Sequence, residues 1–169
     1  MKIAGALIVV VVFTTIGVIR ANSLSQHARC LAEIIESLRF MSSELRSVAT
    51  PLPEIFCEIA KVSRQETNNF FSMLSDSMEK IVEISFAELW LEALDEGNLS
   101  LCHNEINELK RLGLSLGRYS AEEQCVAIDV CINRLEYAYT DALKKSIEGK
   151  KLYTGLGLSM GIMFAALLI

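Results

Sequence analysis

Residues 24–48 read LSQHARCLAEIIESLRFMSSELRSV, and the spacing of their apolar side chains decides the fold class. Leu24, Ala28, Leu31, Ile34, Ile35, Leu38, Met41, Leu45 and Val48 recur in steps of three and four, which places them on one face of a helix. Nothing resembling the period-two alternation of strands occurs here, and no other segment combines that alternation with hairpin turns. The stretch therefore reads as a long amphipathic helix that needs other helices to cover its apolar stripe.

Downstream, Thr50-Pro51 resets the chain, because proline disfavours helix in the residue before it and suits a first helical position, with Thr50 as the expected cap. A second helix then carries Leu52, Ile55, Phe56, Ile59 and Ala60. A third carries Phe70, Phe71, Leu74, Met78 and Ile81, and a short fourth carries Phe86, Leu89, Trp90, Ala93 and Leu94 and ends near Gly97. Ser100 is placed to cap a fifth with Ile106, Leu109, Leu112 and Leu116. Ser120-Ala121-Glu122-Glu123 has the capping-box pattern, and from it Ile128, Ile132, Leu135, Tyr139, Leu143 and Ile147 form a stripe in a sixth helix. The expected fold is all-α, an antiparallel bundle of about six helices over residues 20–151.

Two apolar segments flank that bundle. Ile3 to Ile19 and Leu152 to Ile169 contain no charged side chain, and as helices they reach roughly 25 to 27 Å, the short end of what spans a hydrocarbon core. Residues 1–19 and 152–169 are expected to be transmembrane helices continuous with the first and last bundle helices. The first has an alternative reading as a cleaved secretory signal, since Met1-Lys2 gives a minimal basic start and Thr15-Ile16-Gly17 offers small residues. Against it, no Pro or Gly interrupts the helical pattern from Gly17 to Pro51. Arg20, Arg29, Arg39 and Arg46 follow the first span, and Lys144, Lys145, Lys150 and Lys151 precede the second. The bias of positive charge toward the inner side of membranes then puts residues 20–151 in the cytoplasm. Arg20, Lys144, Lys145, Lys150 and Lys151 become membrane-surface contacts. Gly155, Gly157 and Gly161 form a small-residue face on which another membrane helix can pack.

Composition narrows the function classes. The chain has 169 residues and a net charge of −5, the wrong sign for neutralising nucleic-acid phosphates. Five cysteines (Cys30, Cys57, Cys102, Cys125 and Cys131) show no C-x-x-C pair, which argues against a disulfide framework or a zinc site and reads as buried or idle thiols. Gly113 to Gly117 and Gly157 to Gly161 both match G-x-S-x-G, but a nucleophile elbow needs a preceding strand and a later histidine, and His27 and His103 both precede Ser115. His103 beside Cys102 lacks a second ligand pair at suitable spacing, and Trp90 with Phe86 and Leu94 reads as core packing. No catalytic residue, metal or cofactor is therefore expected. Between Lys80 and Lys110 the charges are all acidic, and Glu88, Glu92, Asp95 and Glu96 form a candidate surface for a basic partner, with a merely solvated helix face as the alternative.

The order of these parts resembles the stage III sporulation protein AB family. The resemblance rests on an N-terminal apolar helix, Thr50-Pro51-Leu52 opening a helix, Trp90 mid-chain, and Leu112-Gly113-Leu114-Ser115-Leu116-Gly117 before a final long helix with Gln124 near its start and a glycine-containing close. Family members often carry Asp near the cap after the second glycine, where this sequence has Tyr119-Ser120. The resemblance implies a domain like the helical bundles of type II secretion and type IV pilus platform proteins. It also implies a non-enzymatic role in a secretion-like channel between mother cell and forespore. The implied location is the mother-cell membrane, and the implied partners are the family's cytosolic AA ATPase and other stage III channel components, with a homo-oligomer as a further possibility. The competing expectation is an extracytoplasmic helical sensor flanked by membrane helices.

Overall fold

The computed structural model describes residues 2–47, 50–78, 84–116 and 120–168, with side chains left out of the description at 2–10, 13, 154, 157, 158, 161, 162 and 164–168. Six helices follow in order: α1 (Lys2–Ser47), α2 (Leu52–Val62), α3 (Gln65–Ser77), α4 (Phe86–Glu96), α5 (His103–Ser115) and α6 (Ala121–Leu168). The described residues contain no strand, so the all-α reading of the apolar periodicity holds. Among them, no helix is long and apolar enough to cross a membrane. Much of the two segments expected to span lies outside the described side chains, Gly157 and Gly161 included.

The chain divides into two compact units, residues 29–139 and residues 1–28 with 140–169. In the larger, the stripe on α1 is fully covered: Leu31, Ile34, Leu38 and Met41 have no exposed surface. Ile55 and Phe56 of α2, Phe70, Phe71 and Leu74 of α3, Trp90 of α4 and Ile128 of α6 are equally buried. Each such side chain contributes roughly 1.5–3 kcal/mol relative to exposure, so this shared core is what holds short helices that would not persist alone. Consecutive helices α2 to α5 pack against one another, as short connections favour. At their centre the rings of Phe70 and Trp90 meet edge to face at 5.1 Å, with Phe56, Phe71 and Phe86 around them.

Gly113 is what lets α5 close on this cluster. A Cβ built there would lie 2.0 Å from Cδ1 of Trp90, a separation no real Cβ shows. The close approach also brings the indole Nε1–H within 2.8 Å of the Leu109 carbonyl, to which it donates, so the only polar atom of this buried ring is satisfied. The glycine of this G-x-S-x-G match thus serves a close contact with Trp90 of α4. Gly117 lies outside the described residues.

Caps differ from the sequence reading at two helices. Thr50 does not cap α2; Pro51 occupies that position, and the Thr50 hydroxyl instead donates to Glu44 at 2.9 Å. Ser100 does not cap α5 either. Its backbone N–H and hydroxyl donate to the Glu66 carboxylate at 2.8 and 3.0 Å, and Cys102 takes the cap position with its N–H on Glu105 at 2.6 Å. The local competition is decided by Glu66, a charged acceptor from α3 that outbids a neutral backbone contact for the serine. The Ser120 capping box on α6 forms as its pattern requires, with Ser120 Oγ donating to Glu123 at 3.0 Å. The third helix ends at Ser77 with Met78 as its cap, and Ile81 lies outside the described residues.

In the smaller unit α1 and α6 meet through small side chains. Ala21, Ala28, Ala142 and Ser146 are buried, and the hydroxyls of Ser25 and Ser146 lie 3.1 Å apart. A Cβ on Gly149 would come within 2.4 Å of Leu24 Cδ1. Small residues at such a crossing let two backbones approach closely, whether in water or in lipid. Gly155, by contrast, has nothing within 4 Å of a built Cβ.

Candidate functional site

The polar groups of the larger unit fall into structural clusters and one exposed edge. Ser42 and Arg46 of α1 both reach Asp129 of α6, and Arg39 pairs with Glu136. Glu108 of α5 accepts from Arg134 of α6 at 2.5 Å and from Arg111 at 3.1 Å. These pairs are substantially exposed, so they fix register along α6 more than they add stability. Burial pushes the Cys131 thiol up to about 12, reinforced by the Glu108 carboxylate, and burial with the nearby Glu66 does the same to Cys30. Both thiols are thus held protonated and poor as nucleophiles.

Neither serine of the G-x-S-x-G matches is poised for attack. The Ser115 hydroxyl donates to the Leu112 carbonyl at 2.7 Å, and the Ser159 hydroxyl to the Leu156 carbonyl at 3.1 Å. Both are helical residues whose hydroxyl bonds back to a carbonyl three positions earlier, an ordinary local use of a helical serine.

The acidic candidates on α4 divide into two kinds. Glu88 closes a capping box with Ser85: its carboxylate accepts from the Ser85 hydroxyl at 2.8 Å and backbone N–H at 3.0 Å, bonds that hold its carboxyl below the ordinary glutamate range. Ser85-Phe86-Ala87-Glu88 carries the capping pattern, so this role was legible before the structure was known. Asp95 is taken by Lys110 of α5 at 2.9 Å. Glu92 and Glu96 are exposed and meet no cation among the described residues. They form the acidic edge that remains available.

The basic residues expected at a bilayer surface are exposed: Arg20, Lys144, Lys150 and Lys151 all lie in solvent, and Lys145 does as well while pairing with Asp141 at 2.7 Å. Sequence reasoning missed a groove of about 740 Å³ between α1 and α2, walled by Phe40, Ile59 and Val62 with Lys61 and Arg64 at the turn. Val62 is 83% exposed. In the sequence only Phe40 hints at it, an aromatic that falls off the apolar stripe of α1.

Fold and surface define a class: an all-α bundle whose polar clusters order helices, with its distinctive chemistry in exposed edges. A family model described as stage III sporulation protein AB matches residues 2–169, and the chain belongs to that family. It is 28% identical over 171 aligned residues to stage III sporulation protein AB of Bacillus subtilis (strain 168), covering 100% of this chain and 99% of the relative. A solved structure titled stage III sporulation protein AB matches with a TM-score of 0.66 and 27% identity, over 72% of this chain and 96% of the other.

Proposed function

We propose that the chain is a non-enzymatic platform subunit that holds a helical bundle at the mother-cell membrane, where components of a secretion-like channel between mother cell and forespore dock on it. Family membership supports the sporulation role. The observation that carries the docking reading is the pair Glu92 and Glu96, exposed on α4 while the neighbouring Glu88 and Asp95 are tied up internally. Surface carboxylates of one sign steer a basic partner and select against acidic ones, more than they set affinity. The partner proposed is the family's cytosolic AA ATPase, together with other stage III membrane components.

Two anchors would restrict the bundle to one orientation and raise its local concentration at the assembly site. The charge-free runs Ile3 to Ile19 and Leu152 to Ile169, with exposed Lys144, Lys150 and Lys151 beside the second, support that part of the reading and a cytoplasmic bundle. Reversing Glu92 and Glu96 together to lysine tests the docking reading. Spore formation and co-purification with the ATPase should both fall while helix content stays unchanged; full retention of both would reduce the acidic edge to a solvated face.

A further inference from the structure

The groove between α1 and α2 carries groups that packing inside the chain leaves unused. Val62 lines its α2 wall with 83% of its surface exposed, and Phe40 on the α1 wall is exposed as well. Glu33 belongs to the α1 wall, and Glu58, Lys61 and Arg64 belong to α2 and the turn after it. None of these four has an ion pair among the described residues. The turn is also held against local preference. Gln65, next to Arg64, keeps φ at 35°, a left-handed conformation that is costly for a residue with a Cβ. Apolar surface rimmed by unpaired charges of both signs is the make-up of an interaction site.

We infer that a second copy of the chain covers this groove, the two related by a two-fold axis running along it, so that the α1 wall of each lies on the α2 wall of the other. A patch that pairs with its own copy must carry both signs of charge, placed so that the rotation brings them together. α1 ends at Ser47 and α2 begins at Leu52, and residues 32–40 of the first line the groove with residues 58–62 of the second, so the two helices run antiparallel. Glu33 and Arg64 therefore lie at a similar distance from the connection, on opposite walls. Within one chain the groove separates them; across the axis Glu33 of each copy meets Arg64 of the other, twice by symmetry. Lys61 comes level with Glu36, whose carboxylate is shared with Arg39, and Glu58 comes level with Phe40, so no like charges meet inside the groove. Glu44 and Glu54, nearer the connection, lie outside the groove and bound the contact at that end. Val62 of each copy enters the groove of the other. The reverse arrangement sets each wall against its own copy and points the two α1 helices in opposite directions, which chains anchored in one membrane cannot adopt. The direction of the pairing, but not its existence, thus rests on the anchoring proposed above. The contact is small, so the expected association is weak and concentration-dependent, and it leaves the acidic edge of α4 free.

The test is sedimentation velocity of the full chain, purified in detergent, across a range of concentrations. Val62→Asp places a carboxylate in the apolar contact twice and should weaken association by about tenfold or more. Because Val62 is exposed in the single chain, helix content and melting temperature should be unchanged by that substitution. Glu33→Arg turns two attractions into two repulsions and should weaken association by about tenfold. Adding Arg64→Glu to it restores opposite charges across the axis and should recover most of the loss. When Glu33→Cys and Arg64→Cys chains are mixed and oxidised, with the unmodified chain as the blank for its native thiols, the mixed product should exceed either like pair. A wild-type chain that sediments as a monomer at every concentration would overturn the inference. So would association untouched by Val62→Asp, a double swap no better than Glu33→Arg alone, or like pairs outnumbering the mixed product. Monomeric wild type would leave the anchoring untouched, since extraction of membranes with carbonate measures that separately.

Discussion

Replacing Gly113 by alanine tests the account of the core at a single atom. The added methyl would sit 2.0 Å from Cδ1 and 2.4 Å from Cγ of Trp90, ring atoms with no freedom to fold away. Either the indole leaves its place among Phe56, Phe70 and Phe86 or α5 moves outward. Overpacking of this kind costs about 1–3 kcal/mol. Losing the bond from Trp90 Nε1 to the Leu109 carbonyl adds roughly 1 kcal/mol, while the better helix propensity of alanine returns about 1 kcal/mol. The net expectation is a loss of about 1–3 kcal/mol, or a melting temperature lower by roughly 4 to 12 °C for a unit of this size. Trp90 is the only tryptophan, so its emission reports the site directly and should move to longer wavelength. Combining Gly113→Ala with Trp90→Leu, which removes the obstructing ring, should cost clearly less than the sum of the two single changes, since residues in contact are not additive. A Gly113→Ala chain with unchanged melting and emission, or strictly additive effects, would refute the reasoning.

Other consequences follow from the polar clusters. Glu66→Ala removes the acceptor of both Ser100 bonds and strands a part-buried N–H, so stability should fall by about 1–3 kcal/mol in thermal unfolding; a loss near zero would mean the Glu66–Ser100 contact is incidental. Ser85→Ala should destabilise in a pH-dependent way. Because the folded chain holds the Glu88 carboxyl below its ordinary range, that contribution is complete above the ordinary glutamate value and is lost as pH falls through the depressed one. The gap in melting temperature between wild type and Ser85→Ala should therefore be constant near neutrality and close in acid; a gap independent of pH would show that the carboxylate takes no part.

Most of the fold could be read from the chain because burial follows the helical period closely on α1 and α2, and on α6 as far as Leu135; beyond it Leu143 and Ile147 of the expected stripe are exposed, and Ala142 and Ser146 are buried instead. Leu31, Ile34, Leu38 and Met41 were assigned to the core by spacing alone and are fully buried. What spacing could not supply was any contact between residues far apart in sequence. Thr50 and Ser100 both look like caps to a local reading, and both are drawn away by acceptors the local sequence does not announce, Glu44 six residues upstream and Glu66 thirty-four upstream. The acidic run on α4 failed in the same direction. Absence of Lys and Arg between positions 80 and 110 suggested four unneutralised carboxylates, yet Lys110 folds back onto Asp95 and a serine occupies Glu88. Of the four, only Glu92 and Glu96 are exposed with no ion pair among the described residues. Gly113 was noticed for its motif, but its partner was out of reach, because which ring stands over a glycine depends on how two helices cross.

The proposed platform role requires the bundle to be held on the cytoplasmic face of a membrane by the apolar ends of the chain. Cys102 is exposed and Cys57 half-buried, whereas Cys125 is buried and burial keeps the Cys30 and Cys131 thiols protonated and slow to react, so a thiol reagent reports mainly on Cys102 and Cys57. Treating sealed right-side-out and inverted membrane vesicles that contain the full chain with a membrane-impermeant maleimide measures the topology. The account predicts that the chain stays in the membrane fraction after a carbonate wash and that Cys102 is labelled in inverted vesicles only. Labelling in right-side-out vesicles, or release of the chain by the wash, would contradict it.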